Sequence, residues 1–279
     1  MALQHLLPQL WLSGVVGRIA RTRAGWIRKP LIRAFMRGYR PEMADALQPN
    51  PLAYESFNAF FTRALRPGAR PQPMEASAIV SPVDGSISAL GSTRQGRIIQ
   101  AKGRDYSLVE LLAGDSELAD RFSGGSFMTV YLAPFNYHRI HMALPGTLTS
   151  AWYVPGHLYS VNDTTAALVP NLFARNERVV CVFTSPDHGP FVMVLVGATI
   201  VGSMATAWHG VVNPKRTNAP SEWTYADQNI ILKKGEEMGR FLLGSTIIML
   251  FERNSILFSR DWTPERSVRL GEAMGNRPV

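Results

Sequence analysis

Three short stretches of this 279-residue chain hold side chains that could do chemistry together. "SPVDGSI" places Asp84 just before Gly85, "FNYHRIHMALPG" carries His138 and His141, and "FLLGSTIIMLFE" sets Gly244 and Ser245 inside an apolar run. A carboxylate can orient an imidazole, and the imidazole can take the proton of a serine hydroxyl that is otherwise a weak nucleophile. Each stretch also has a plainer use. Asp-Gly turns a chain by itself. Two histidines three apart lie on opposite faces of a strand but share a face in a helical turn. No metal is expected, because no nearby Cys, Asp or Glu offers them a third ligand. Gly244-Ser245 could be only a bulge. The trio therefore fits a membrane-surface serine hydrolase using Ser245, His141 and Asp84. It fits equally a non-enzymatic lipid-binding domain in which Ser245 merely turns the chain.

The elements that must position these residues are mostly strands. From Ile79 onward the chain breaks into short β-prone runs separated by Gly, Pro and Asp, among them "GSISALG", "GRIIQAKG", "SFMTVYLAP", "RVVCVFT", "NIILKKG" and "STIIMLFE". That spacing predicts a mainly antiparallel β sandwich or barrel-like core. "PFVMVLVGATIVGSMATAW" reads as two buried strands with a bend near Gly197 and Gly202. One helix is expected over Tyr106–Phe122, with Leu108, Leu111, Leu112 and Leu118 on one face. Phe57, Phe60 and Phe61 predict a short helical face, "RPGARPQP" a linker or extended entry strand, and the polar tail from Ser259 a segment mobile at its end. No glycine-rich nucleotide loop, paired-cysteine site or internal repeat is visible.

Composition narrows the class. With 46% apolar and 18% charged residues the chain can bury a sizeable core, and one cysteine excludes an intrachain disulfide. The net charge of +8 sits entirely in residues 1–40, where Arg18, Arg21, Arg23, Arg28, Lys29, Arg33, Arg37 and Arg40 meet no Asp or Glu. Such asymmetry points to an anionic surface. Apolar residues at helical spacing select a membrane over nucleic acid: Leu6, Leu7, Leu10, Trp11, Val15 and Ile19, then Trp26, Ile27, Leu31, Ile32, Phe35 and Met36. Basic amphipathic helices of this kind lie in the interface of an anionic bilayer. The competing use of the stripes is packing on the protein's own core. No stretch predicts a transmembrane helix or a secretory signal. The fold class is thus α+β: N-terminal amphipathic helices (1–65) ahead of a β-rich catalytic domain (66–279).

Many blocks in order give the chain a specific likeness over roughly Tyr54–Glu252: "FNAFFTRALRPGARP", "SPVDG", "QAKGRDYSLVELL", "YLAPFNYHRIHMALPG", "YVPGHLYSVN", "LFARNERVV", "VLVGATIVGSM" and "KKGEEMGRFLLGSTIIMLFE". It resembles the bacterial, membrane-associated phosphatidylserine decarboxylases. The stretch "HMALPG" is a local departure between the second histidine and the glycine.

That resemblance implies that Asp84 and His141 activate Ser245 for attack on the carbonyl of Gly244. The peptide then becomes an ester and eliminates, leaving a large chain 1–244 and a small chain 245–279. The new terminus passes through dehydroalanine and an imine, which water hydrolyses with loss of ammonia, to a covalent pyruvoyl cofactor derived from Ser245. By the same resemblance, the pyruvoyl forms a Schiff base with phosphatidylserine, CO2 leaves and phosphatidylethanolamine is released. His138 is implied as a contact for the substrate's carboxylate or phosphate, or as the proton donor. The resemblance further implies a homodimer and a peripheral location on the cytoplasmic face of the bacterial inner membrane, with residues 1–40 on the lipid and no nucleic acid partner.

Overall fold

The computed structural model describes residues 9–101, 104–198, 204–213, 219–242 and 245–278. Leu6, Leu7, Gly202 and Gly244, all invoked above, lie outside the described residues.

The core is one large antiparallel sheet. Its path runs Ser221–Thr224, Gly146–Val154, Arg178–Ser185, Gly189–Gly197, Ser245–Phe251, Ser126–Leu132, Gly85–Ser92 and Ser267–Val268, with Ile231–Leu232 also on Gly146–Val154. A four-stranded sheet holds Gly210–Val211, Met204–Thr206, Glu237–Phe241 and Arg139–His141. A three-stranded sheet holds Ala78–Val80, Ala273–Asn276 and Leu257–Phe258. Among the described residues the large sheet stays open. The fold is the expected α+β arrangement with antiparallel sheets, without a closed barrel.

Ser245–Phe251 is the centre of this sheet. All seven of its residues are buried, and it pairs in unbroken register with Gly189–Gly197 on one side and Ser126–Leu132 on the other. Both sheet faces are covered, so its sequence is continuously apolar rather than alternating. Ile247, Met249 and Phe251 pack in a core with Ile140, Met142, Met238 and Phe241. Ile248 and Leu250 pack on the other face with Leu108, Leu111, Phe122, Leu172 and Phe173. Small sheets thus cover one face and short helices the other. Each of the five apolar side chains contributes about 1.5–3 kcal/mol on burial. A break before Ser245 would leave the strand anchored by both ladders.

Two sequence expectations change. The helix predicted over Tyr106–Phe122 is instead the end of strand Arg104–Ser107 and two short helices, Leu108–Leu111 and Ser116–Arg121. Ser107 and Asp115 each cap a helix start, and Ala113 and Gly114 both adopt positive φ between them. The apolar spacing was right for two helices on one face but could not show the break. The tail is not loose: Ser267–Val268 and Ala273–Asn276 are paired strands, and Trp262, Val268, Leu270 and Met274 are buried.

Helices Gln9–Ala20 and Gly25–Tyr39 form as expected. The second turns inward more than an interfacial stripe would. Ile32 is fully buried, and Leu31, Phe35 and Met36 pack with Phe57, Phe60 and Phe61 of the short helix Phe57–Phe61. Trp26 remains 80% exposed.

Candidate functional site

Asp84 ends a bend that leads into strand Gly85–Ser92. Gly85 is needed there for close approach and not for a left-handed turn. A Cβ on it would meet the Tyr131 carbonyl at 2.5 Å and Val130 at 2.6 Å. The Asp84 carboxylate is buried, and its oxygens are fully engaged. Arg70 donates through Nε at 3.0 Å and Nη2 at 2.6 Å, and the Leu270 N–H donates at 2.8 Å. Arg70 also donates to Asp45 at 2.6 Å, which holds the Asp45 carboxyl below its usual range. A bidentate Arg–carboxylate pair is rigid and directional. The carboxylate predicted to orient the histidine is therefore itself oriented by an arginine from the supposed linker "RPGARPQP".

His141 closes strand Arg139–His141, and its backbone N–H donates to the Pro82 carbonyl at 2.9 Å, two residues from Asp84. Its ring lies between two partners: Nδ1 is 2.8 Å from the Gly235 carbonyl and Nε2 is 2.9 Å from the Tyr137 hydroxyl. A carbonyl only accepts, so Nδ1 carries the proton and Nε2 is the acceptor. Burial lowers the His141 pKa, with the Asp84 charge a smaller opposing influence. The ring is thus a neutral imidazole with its basic nitrogen toward Tyr137. Asp84 acts on it through space and through the Pro82 backbone; no Asp84–His141 hydrogen bond is present.

Ser245 is 1% exposed, and its Oγ has no hydrogen-bond partner among the described residues. An orphaned buried hydroxyl costs free energy unless strain, a water or a reaction accounts for it; Thr129, Ser185 and Thr246 share this state. It begins the central strand opposite Leu132 and Gly197, and side-chain alternation puts it on the same face as Ile247. His138 flanks the same place. Its Nε2 is 3.1 Å from the carbonyl of Ala133, the neighbour of Leu132, and its own carbonyl accepts from Phe241 N–H at 3.0 Å. The ring is fully buried and stacked on Phe61 at 4.0 Å, and its Nδ1 also lacks a partner. Burial pushes the His138 pKa down to about 3. The geometry thus brings the His141 backbone to the turn that carries Asp84, and sets His138 against Ala133, next to the strand partner of Ser245. It does not join Asp84, His141 and Ser245 in one hydrogen-bonded chain.

Asn58 escaped notice in the sequence. Its Nδ2 donates at 2.7 Å to the carbonyl of Leu242, two residues before Gly244 and 184 positions away in sequence. The segment approaching Ser245 is thereby held by the Asn58 side chain and, at Phe241, by His138. Asn58→Ala removes about 1 kcal/mol of net hydrogen bonding and frees that segment. We expect the amide hydrogens around Leu242 to exchange several-fold faster while the melting temperature moves little, read by hydrogen exchange.

Comparison with known proteins gives the family. The family model described as phosphatidylserine decarboxylase matches residues 57–276. The chain belongs to the phosphatidylserine decarboxylase family. A second model, described as PSD, matches residues 1–40. The chain is 55% identical to the phosphatidylserine decarboxylase proenzyme of Chromobacterium violaceum, over 98% of this chain and 97% of the relative. It is 56% identical to that of Variovorax paradoxus (98% and 95%) and 55% identical to that of Methylibium petroleiphilum (99% and 97%). Family membership gives the orphaned Ser245 hydroxyl a chemical context, since these relatives are named as proenzymes.

Proposed function

We propose that this protein is a self-cleaving phosphatidylserine decarboxylase that produces phosphatidylethanolamine and CO2. The observation that carries it is the buried, unpartnered Ser245 hydroxyl, placed at the start of a strand locked on both sides. Ser245 Oγ attacks the Gly244 carbonyl carbon and the C–N bond breaks, leaving an ester. His141 Nε2 accepts the hydroxyl proton. Asp84, fixed by Arg70, raises the basicity of that ring electrostatically. Elimination then releases Gly244 as a carboxylate, giving chains 1–244 and 245–279.

Ser245 fits as the source of a pyruvoyl group because nothing else in the described structure binds its Oγ. Such a group supplies an electron-accepting carbonyl for loss of CO2. His138, beside Ala133, keeps an open Nδ1 among the described residues, and an apolar surround disfavours the charged carboxylate over neutral CO2. An external ester hydrolase would leave the chain whole, so a cut before Ser245 separates the two functions. A non-enzymatic lipid-binding domain would likewise leave the chain uncut. Intact mass of the purified protein tests the proposal. Two chains should appear, the smaller blocked to Edman chemistry, and the preparation should release CO2 from phosphatidylserine vesicles. A fully intact yet active chain would refute it.

The substrate lies in an anionic leaflet, and the N-terminal helices suit that surface. Arg18, Arg21, Lys29, Arg33 and Arg37 are exposed near Trp26 and Ile19. Each basic residue near such a surface contributes about 1 kcal/mol. No helix among the described residues is long and apolar enough to cross a membrane. Peripheral attachment to the cytoplasmic face, residues 1–65 as the membrane-associating segment, and pairing of two copies complete the proposal on family grounds. Deleting residues 1–50 would strip the partners of Phe57, Phe60 and Phe61, so substitution in the full chain is the better probe. Trp26→Ala with Arg18, Arg21 and Lys29 changed to Glu should cut co-sedimentation with anionic vesicles at least tenfold. Wild-type binding should fall as salt rises. Unchanged sedimentation would remove the membrane role.

A further inference from the structure

Arg63 follows the short helix Phe57–Phe61 and is 3% exposed. Its guanidinium has few partners for its burial. Nη2 donates to the carbonyls of Phe135 at 3.2 Å and Asn136 at 3.4 Å, whereas Nε and Nη1 have no partner among the described residues. None of the described carboxylates pairs with it. Asp84, the acid nearest in effect, is already bound twice by Arg70. Burial lowers the basicity of Arg63, yet an arginine keeps its charge. A buried, unpaired cation with open donors is costly, and a native site retains one when an anion completes it.

Arg63 lines a cleft of about 430 Å³ together with Arg70, Asp84, Asn136 and Tyr137, and half-exposed Phe135 also lines it. The other basic residues there that could bind an anion differ in character. Arg70 is consumed by Asp45 and Asp84, Arg269 pairs with Glu42 at 3.2 Å, and Arg40 is exposed. The cleft also adjoins the proposed catalytic ground. Phe61, two residues from Arg63, stacks on His138, and Tyr137 holds His141.

We propose that Arg63 binds the phosphodiester of the phosphatidylserine headgroup, a role that rests on the decarboxylase function proposed above. The guanidinium fork matches an oxyanion in either the carboxylate or the phosphate of that headgroup. The two uses differ in consequence. A cation on the carboxylate stabilises the charge that must disappear as CO2, which favours the ground state over the transition state. A cation on the phosphate anchors the substrate and leaves the carboxylate in its apolar surround.

The test uses the full, self-cut protein and short-chain phosphatidylserine in mixed micelles. Intact mass first establishes that Arg63→Gln and Arg63→Lys carry the cut. Arg63→Gln should then raise KM roughly 10- to 100-fold, the range for a hydrogen bond to a charged group, with a smaller change in kcat. Arg63→Lys should recover part of the loss as a point charge. A phosphatidylserine whose phosphate is methylated to a neutral triester should be comparably poor with the wild-type protein. It should lose little more with Arg63→Gln. This wild-type comparison stands even if the variants fail to fold. Equal turnover of diester and triester by the wild type would overturn the proposal. So would a wild-type KM in Arg63→Gln, or an equal loss on both substrates in that variant. A wild type that cuts itself but leaves both substrates untouched would instead refute the decarboxylase function on which Arg63's role depends.

Discussion

Ser245→Ala should leave one uncut chain without decarboxylase activity, a loss of about 10⁶-fold or more, the whole catalytic advantage of a typical enzyme. Alanine offers neither the attacking oxygen nor the β-oxygen that must later depart. The variant should nevertheless fold. The Ser245 hydroxyl makes no hydrogen bond among the described residues, so its removal deletes an unsatisfied buried group rather than a contact. Its melting temperature should match or exceed that of an uncut wild-type sample. The flanking ladders to Gly189–Gly197 and Ser126–Leu132 are backbone pairings that alanine preserves. Denaturing electrophoresis, intact mass and CO2 release together read the result. An active, uncut Ser245→Ala protein would be incompatible with the mechanism, and an unfolded one would show that the hydroxyl has a structural partner.

His141→Gln should slow self-cleavage by about 10²- to 10⁴-fold, the usual contribution of a general base. The neutral ring is what makes His141 fit for the role. Burial holds its pKa below the ordinary histidine value of 6.5, so Nε2 stays unprotonated at neutral pH. The cutting rate should accordingly be flat around neutrality and fall only in acid, below pH 6.5. Cleavage at wild-type speed in His141→Gln would transfer the base role elsewhere, with His138 the nearest candidate.

Stability should follow the same groups. Both histidines have folded pKa values below the unfolded one, so in acid the unfolded chain binds more protons than the folded chain. Stability is therefore complete above about pH 6.5 and declines as pH falls through the window down to about 3, the His138 value.

The local signals in the sequence were true but short-ranged. "STIIMLFE" read as a buried strand because unbroken apolarity marks an element covered on both faces, and it proved to be the centre of the large sheet. The paired N-terminal helices and the Phe57–Phe61 turn were legible from spacing alone. The break at Ala113-Gly114 was not, because the leucines on either side keep helical spacing across it. The strands in the tail were hidden by their polar, two- to four-residue lengths.

For the site, the sequence alone determined the chemical inventory: an aspartate, two histidines and a Gly-Ser bond in an order that marks the family. Only the tertiary structure decided how that inventory is held. Arg70 looked like part of a linker yet clamps Asp84. Asn58 and Arg63 sat in what read as a membrane segment, yet one reaches Leu242 and the other lines the cleft. Tyr137 and the Gly235 carbonyl set the tautomer of His141. Residue type and spacing encode periodicity and reactive groups, because those depend on neighbours in the chain. Which carboxylate an arginine meets, and which hydroxyl is left without a partner, depends on segments brought together by burial from far apart in sequence.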